Sequence, residues 1–244
     1  MELTFSEYSL VYNMFSLTIA SMLSAFVFFY MAQSQVAPKY RISLIVSGLV
    51  VGIAAYHYFR ILHSWEGAYY EGAPFNDAYR YVDWLLTVPL LLVELILVLG
   101  LSKEKNASML PKLVIAAAAM IALGYPGEIM ADKSDMMYYV WGTLSSIPFF
   151  YILWILWGEL GKAMEDQAGH VAVLFRNIRL LLIATWGFYP IVYLLPALGG
   201  DAGSTVVGIQ VGYSIADILA KAGYGVMIYS IARAKSEADG WSVG

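Results

Sequence analysis

The chain has 244 residues, 60% of them hydrophobic and 13% charged. That is about half the charge fraction of an ordinary soluble domain, and the mean hydropathy of +0.67 agrees with an integral membrane protein. With no cysteine, disulfide frameworks, thiol nucleophiles and thiolate metal sites are excluded, and a net charge of −4, evenly spread, offers no electrostatic footprint for nucleic acid.

Seven apolar segments follow one another, near 8–33, 39–64, 77–101, 108–128, 135–158, 173–198 and 205–232. Each is close to the roughly 20 residues that a membrane-spanning helix needs. The connections are short apart from 64–76 and 159–170, and there is no internal repeat, low-complexity tract or second domain. The expected fold is a single all-α domain over 1–244, a seven-helix transmembrane bundle whose immediate partner is the lipid bilayer of a cell membrane, crossed as a multi-pass protein. The opening MELTFSEYSL lacks a basic n-region, so the first segment is expected to act as its own insertion signal. The polar tail RAKSEADGWSVG after Ala232 is expected to fray.

Orientation follows from the basic residues. One set of alternate loops and helix ends carries Lys39, Arg41, Lys103, Lys105, Lys112, Lys162, Arg176, Arg179, Arg233 and Lys235, whereas the opposite set carries Lys133 alone. The asymmetry predicts an N-terminus outside and a C-terminus in the cytoplasm.

The third segment, DAYRYVDWLLTVPLLLVELILVLG, contains Arg80, Asp83, Thr87 and Glu94. Eleven helical steps separate Asp83 from Glu94, about 16 Å along the axis and within roughly 20° of the same direction. Two carboxyls on one lining, half a bilayer apart, form the arrangement a proton relay requires. Arg80 lies one turn outward of Asp83. Nearby positive charge favours the Asp83 anion, whereas the apolar flank Leu92, Val93, Leu95 and Ile96 favours a protonated Glu94.

The seventh segment, VVGIQVGYSIADILAKAGYGVMIYSIA from Val206 to Ala232, holds only two charges, Asp217 and Lys221. An ammonium this deep in an apolar helix is costly and marks a functional site by default. Four residues apart, the two groups share one helix face. A desolvated lysine is a nucleophile suited to forming a Schiff base with a carbonyl compound, with Asp217 as counter-ion.

These residues together resemble a microbial (type 1) rhodopsin over nearly the whole chain. RYVDWLLTVPLLLVEL is similar to the proton-pump signature with Asp83, Thr87 and Glu94 at its Asp–Thr–Glu positions, DILAK to the retinal-lysine motif, and WGFYP at Trp186–Pro190 to the ring-clamping segment. Within the family, HYFR with His57 and GYPGE at Gly124–Glu128 resemble the proteorhodopsin and xanthorhodopsin branch. The resemblance implies a light-driven outward proton pump, a transporter and not an enzyme, with all-trans retinal on Lys221 as a protonated Schiff base. It implies Asp83 as counter-ion and proton acceptor, bonded to His57, and Glu94 as proton donor. Asp217 is the implied second counter-ion with Tyr189 as its hydroxyl partner, and Arg80 modulates release. The implied pocket comprises Trp84, Thr87, Leu91, Met120, Gly124, Ser145, Trp186, Tyr189, Pro190 and Tyr193. An apolar Leu91 implies green absorption.

Gly142 falls where many relatives carry a bulky aromatic beside the retinal ring. Xanthorhodopsin-like members use the resulting window for a carotenoid antenna, a hydroxylated xanthophyll. The resemblance also implies a homo-oligomer, a pentamer or trimer. Two alternatives remain open on sequence grounds: a photosensory rhodopsin signalling through a partner, and a seven-helix transporter or receptor that holds an ionic substrate at Lys221, Asp83 and Asp217. A sodium or chloride pump fits less well, because those branches replace the Asp83 or Glu94 carboxyl. Pro89, Pro148 and Pro190, which lack backbone donors, are the expected bending points.

Overall fold

The computed structural model describes residues 3–130, 135–165, 169–198 and 202–241. Among them lie seven helices long and apolar enough to cross a membrane: α1 (Phe5–Gln35), α2 (Pro38–Tyr70), α3 (Tyr79–Leu99), α4 (Lys103–Glu128), α5 (Met136–Glu165), α6 (Gly169–Tyr193) and α7 (Gly203–Ala238). No strand occurs among the described residues. Each helix packs on its neighbour in sequence, and α7 closes the ring by packing on α1 and α6 while also touching α2 and α3.

The pattern of α3 shows why the ring closes around it. Arg80, Asp83, Thr87, Leu91, Glu94 and Val98 are all buried and recur every three or four residues, a single stripe along the helix. Val82, Leu85 and Leu86 on the opposite side are exposed toward the surrounding lipid. The polar stripe is therefore turned inward and the apolar face outward, as hydrocarbon solvent requires.

Three helices run well beyond the apolar pattern. α2 continues to Tyr70, so the connection to α3 spans only 71–78. The extra turns are held by an aromatic cluster: the Trp65 indole N–H donates to the Tyr8 carbonyl at 3.2 Å, and the Tyr8 ring stacks on Tyr69 at 4.1 Å. α7 continues to Ala238, which corrects the expected frayed tail. There the Ser236 hydroxyl accepts from the Ala37 N–H at 2.8 Å, a buried bond that polarity alone does not reveal. Similarly, α5 reaches Glu165. Lys133 lies outside the described residues.

α6 is interrupted after Trp186 by a turn at Gly187 and resumes over Phe188–Tyr193. Pro190 has no N–H for the Trp186 carbonyl, so the break falls where the missing donor places it. α7 carries a different irregularity: Ile218–Gly223 form a π-helical turn, with Lys221 inside it. Such turns are rare and concentrate at functional sites.

Candidate functional site

Lys221 on α7 and Asp83 on α3 meet at the centre of the bundle, Nζ to Oδ2 at 2.5 Å. Asp217, one turn before Lys221, approaches the same ammonium with Oδ1 at 3.2 Å. Arg80 on α3 lies 3.8 Å from Asp217 Oδ2. All four side chains are buried. Two cations face two anions, and this pairing makes such burial tolerable, since removing one partner would strand a desolvated charge.

Hydrogen bonds complete the cluster. The Tyr58 hydroxyl donates to Asp217 Oδ2 at 2.8 Å and Tyr189 to Oδ1 at 2.5 Å. The Trp84 indole N–H approaches Oδ1 at 3.4 Å. Asp217 is thus fixed from α2, α3 and α6 at once. Arg80 donates through Nη1 to Tyr58 at 2.7 Å and through Nη2 to the buried Gln210 amide oxygen at 2.7 Å. The Gln210 Nε2 then donates to Asp77 Oδ2 at 3.2 Å, carrying the network to the N-terminal end of α3.

Asp83 is held less completely. Its Oδ1 has no hydrogen-bond partner. The His57 Nδ1 is 3.8 Å away, a neighbour and not a hydrogen-bond donor at that distance, and instead sits 3.0 Å from the Ile53 carbonyl. The Thr87 hydroxyl donates to the Asp83 backbone carbonyl at 2.9 Å and does not line the adjoining cavity.

That cavity, of 290 Å³, is lined in part by Lys221. Trp84, Leu91, Met120, Gly124, Ser145, Trp186, Tyr189, Pro190 and Tyr193 form part of its wall, which is the predicted set without Thr87. The walls are largely aromatic and aliphatic. The Ser145 hydroxyl turns away to the Met120 carbonyl at 2.8 Å. Gly142 also lines the cavity, and the Tyr193 ring packs so closely on it that a Cβ there would come within 2.6 Å of Cε1. Neighbouring Thr143 and Leu194 line the cavity and are exposed on the lipid side.

Toward the other end of the bundle, Glu94 is fully buried on the same stripe of α3. Ser47 Oγ of α2 is 2.5 Å from Oε2 and also 3.2 Å from the Ser43 carbonyl, and Oε1 has no partner. The serine has one hydroxyl proton. Given to the Ser43 carbonyl, it leaves Oγ free to accept from a protonated Glu94, so this environment suits a neutral acid.

Sequence reasoning passed over four members of the site. Tyr58 stands in HYFR beside His57, where a hydroxyl on a buried aromatic demands a partner. Ser43 and Ser47, four apart on an apolar helix, and Gln210, a buried amide, gave weaker signals, because such groups in membranes often satisfy themselves on their own backbone.

Comparison with known proteins agrees with this geometry. Residues 10–235 match the family described as bacteriorhodopsin-like protein. The chain is 34% identical over 220 residues to a green-light absorbing proteorhodopsin of Gamma-proteobacterium EBAC31A08, covering 89% of this chain and 84% of that one. It is similar in structure to xanthorhodopsin, described as a light-driven ion pump with dual chromophore, at 56% identity and a TM-score of 0.93 over 98% of each chain. A thermophilic rhodopsin gives 53% identity and a TM-score of 0.92, covering 98% of this chain and 99% of that one.

Proposed function

The chain belongs to the bacteriorhodopsin-like family, and on that premise we propose that it is a light-driven outward proton pump of the cell membrane, with all-trans retinal bound through Lys221 as a protonated Schiff base. The observation that carries the reading is the position of Lys221: its amine sits between two carboxylates, and its side chain lines a largely apolar cavity. Those residues fit an elongated apolar aldehyde, since the cavity receives a hydrocarbon chain and the lysine receives the carbonyl carbon. Bound there, retinal supplies light absorption and an isomerisation that lowers the proton affinity of the imine nitrogen.

The chain's own residues supply direction. Asp83 Oδ2, already against the Lys221 nitrogen, accepts the proton. Asp217, held by Tyr58 and Tyr189, stays a fixed anion and keeps the site neutral overall. Arg80 links Asp217 through Gln210 to Asp77, giving released charge an outward route. Glu94, in its dry surroundings, returns a proton from the other side. The basic ends of the helices, with Lys39, Lys105 and Lys235 among them, face the cytoplasm under the positive-inside rule, which puts the N-terminus outside and Glu94 on the inner half. The apolar Leu91 in the cavity wall supports green absorption.

Cells expressing the chain with added retinal should acidify their medium under green light, and a protonophore should abolish the change. A coloured protein without acidification overturns the pump in favour of a photosensory rhodopsin; absence of colour overturns the retinal assignment itself.

A second chromophore is favoured by one observation. The cavity meets the lipid face at Thr143 and Leu194, beside Gly142, whose missing side chain lets the Tyr193 ring lie against the helix. A hydroxylated carotenoid lying there would act as an antenna. Added xanthophyll should extend the action spectrum into the blue, and Gly142→Trp should cancel that extension while green-driven pumping persists.

A further inference from the structure

The inner end of α7 grips its neighbours with four side chains beyond the reach of the site just described. Arg233 Nη1 donates to Gln35 Oε1 at 2.9 Å, Ser236 Oγ accepts from the Ala37 N–H at 2.8 Å, and Asp239, just past the helix, takes the Tyr40 hydroxyl at 2.9 Å and pairs with Lys39 at 2.8 Å. These three hold α7 to the α1–α2 corner. Lys235 reaches elsewhere: its Nζ donates to the carbonyls of Val98 and Leu99 at 3.0 and 2.9 Å.

Those carbonyls are among the last four of α3, which have no partner within their own helix. A cation there also meets the negative end of the helix dipole. The ammonium lies 5.4 Å from the Tyr40 ring centre and 5.9 Å from that of Phe175 on α6. One side chain therefore joins α2, α3, α6 and α7. The fit is close from the α3 side as well. Gly100 ends the helix with φ 69°, a left-handed conformation, and a Cβ on it would stand 3.0 Å from Lys235 Nζ. Val98 is one turn beyond Glu94 on the same buried stripe. The clip thus closes the end of the helix that a proton must pass to reach Glu94 from the basic side.

We propose that Lys235 is a positioning residue: it clips the inner end of α7 to that of α3 and holds closed the approach to Glu94, so that its release times proton uptake. The proposal rests on the reading of Glu94 as the inner proton donor. It is distinct from donor chemistry, because Lys235 carries no transported proton and acts through the helix ends.

The test is flash photolysis of the retinal-loaded full chain in lipid vesicles, with a pH-sensitive dye reporting uptake, beside amide hydrogen exchange of residues 95–103 in the dark. Lys235→Met keeps the aliphatic stem and removes the donors. It should speed uptake at least tenfold, the scale of losing the charge-assisted hydrogen bonds to two carbonyls from the closed form, and raise exchange at the end of α3. Lys235→Arg, which keeps charge and donors, should stay close to the unsubstituted chain. Lys235→Gln removes the charge and keeps a shorter neutral donor; it should speed uptake in the same direction by a smaller factor, and it serves if Lys235→Met yields no pigment. Faster exchange with unchanged uptake in both variants overturns the timing role and reduces Lys235 to a staple. Unchanged exchange overturns the clip altogether. An unsubstituted chain whose uptake ignores Glu94→Gln overturns the donor reading instead, and the dark exchange still decides the clip.

Discussion

The two halves of α3 place the same functional group in opposite surroundings. Asp83 and Glu94 lie on one stripe of one helix and are both excluded from solvent. Around Asp83 the protein assembles Lys221, Asp217, Arg80, Tyr58 and Tyr189, a cluster of alternating charge in which each ion has a counterpart. Around Glu94 it provides the Ser47 hydroxyl, with Leu91, Leu92, Leu95 and Ile96 buried next to it along α3. The first environment accommodates an anion, the second a neutral acid. In the pump proposed above, this contrast between two positions about 16 Å apart on one helix supplies the bias, and the Lys235 clip times the uptake.

The contrast can be broken from the charged end with the largest effect. Asp83→Asn removes the carboxylate touching Lys221, so absorption should shift to the red and light-driven acidification should cease; a visible spectrum and a pH electrode check both. From the dry end, Glu94→Gln should leave the pigment coloured and slow the recovery of the protonated chromophore by roughly 100-fold, the scale of losing a positioned proton donor, as read by flash photolysis. Ser47→Ala sharpens the same half. It removes the hydroxyl that meets Glu94, a contribution of about 1 kcal/mol, and should alter recovery by about fivefold while the spectrum stays fixed.

The smallest effect lies outside the membrane. Lys39 and Tyr40 beside Asp239 hold its carboxyl below the usual carboxylate range. The stability this provides is fully present above the ordinary aspartate value and is lost as pH falls through the depressed one. Asp239→Asn should lower the melting temperature at neutral pH by less than about 2 °C, as expected of an exposed pair, and the difference from the unsubstituted chain should vanish in acid.

How much of this was legible beforehand depended on where the signal was stored. Charges in apolar segments stand out, so Lys221, Asp217, Asp83 and Glu94 could be read from composition and helical spacing, and the structure brings the first three together. The stripe from Arg80 to Val98 follows from the same periodicity. What could not be read is how neutral polar groups choose partners across helices. Tyr58 and Gln210 carry no charge, and their roles depend on helix rotations that no local pattern specifies. The His57–Asp83 bond expected from family resemblance is a 3.8 Å approach, because the imidazole nitrogen finds the Ile53 carbonyl nearer at hand. The end of α7 was misjudged for a related reason: RAKSEAD is polar, yet its serine and lysine are occupied inside the bundle.

The π-helical turn at Ile218–Gly223 bears on both ends of α7. In an α-helix each residue advances the direction of its side chain by about 100°. Winding the same residues as regular α-helix would swing everything from Tyr224 onward by about that angle. Lys221 could keep its place between Asp83 and Asp217, while Lys235 and Ser236 would point away from Val98 and Ala37. The wider turn acts as a phase adjuster: it sets the rotation of the lower helix independently of the rotation the lysine needs, so that one continuous rod satisfies two docking sites that an unbroken spiral of the same sequence would set against each other.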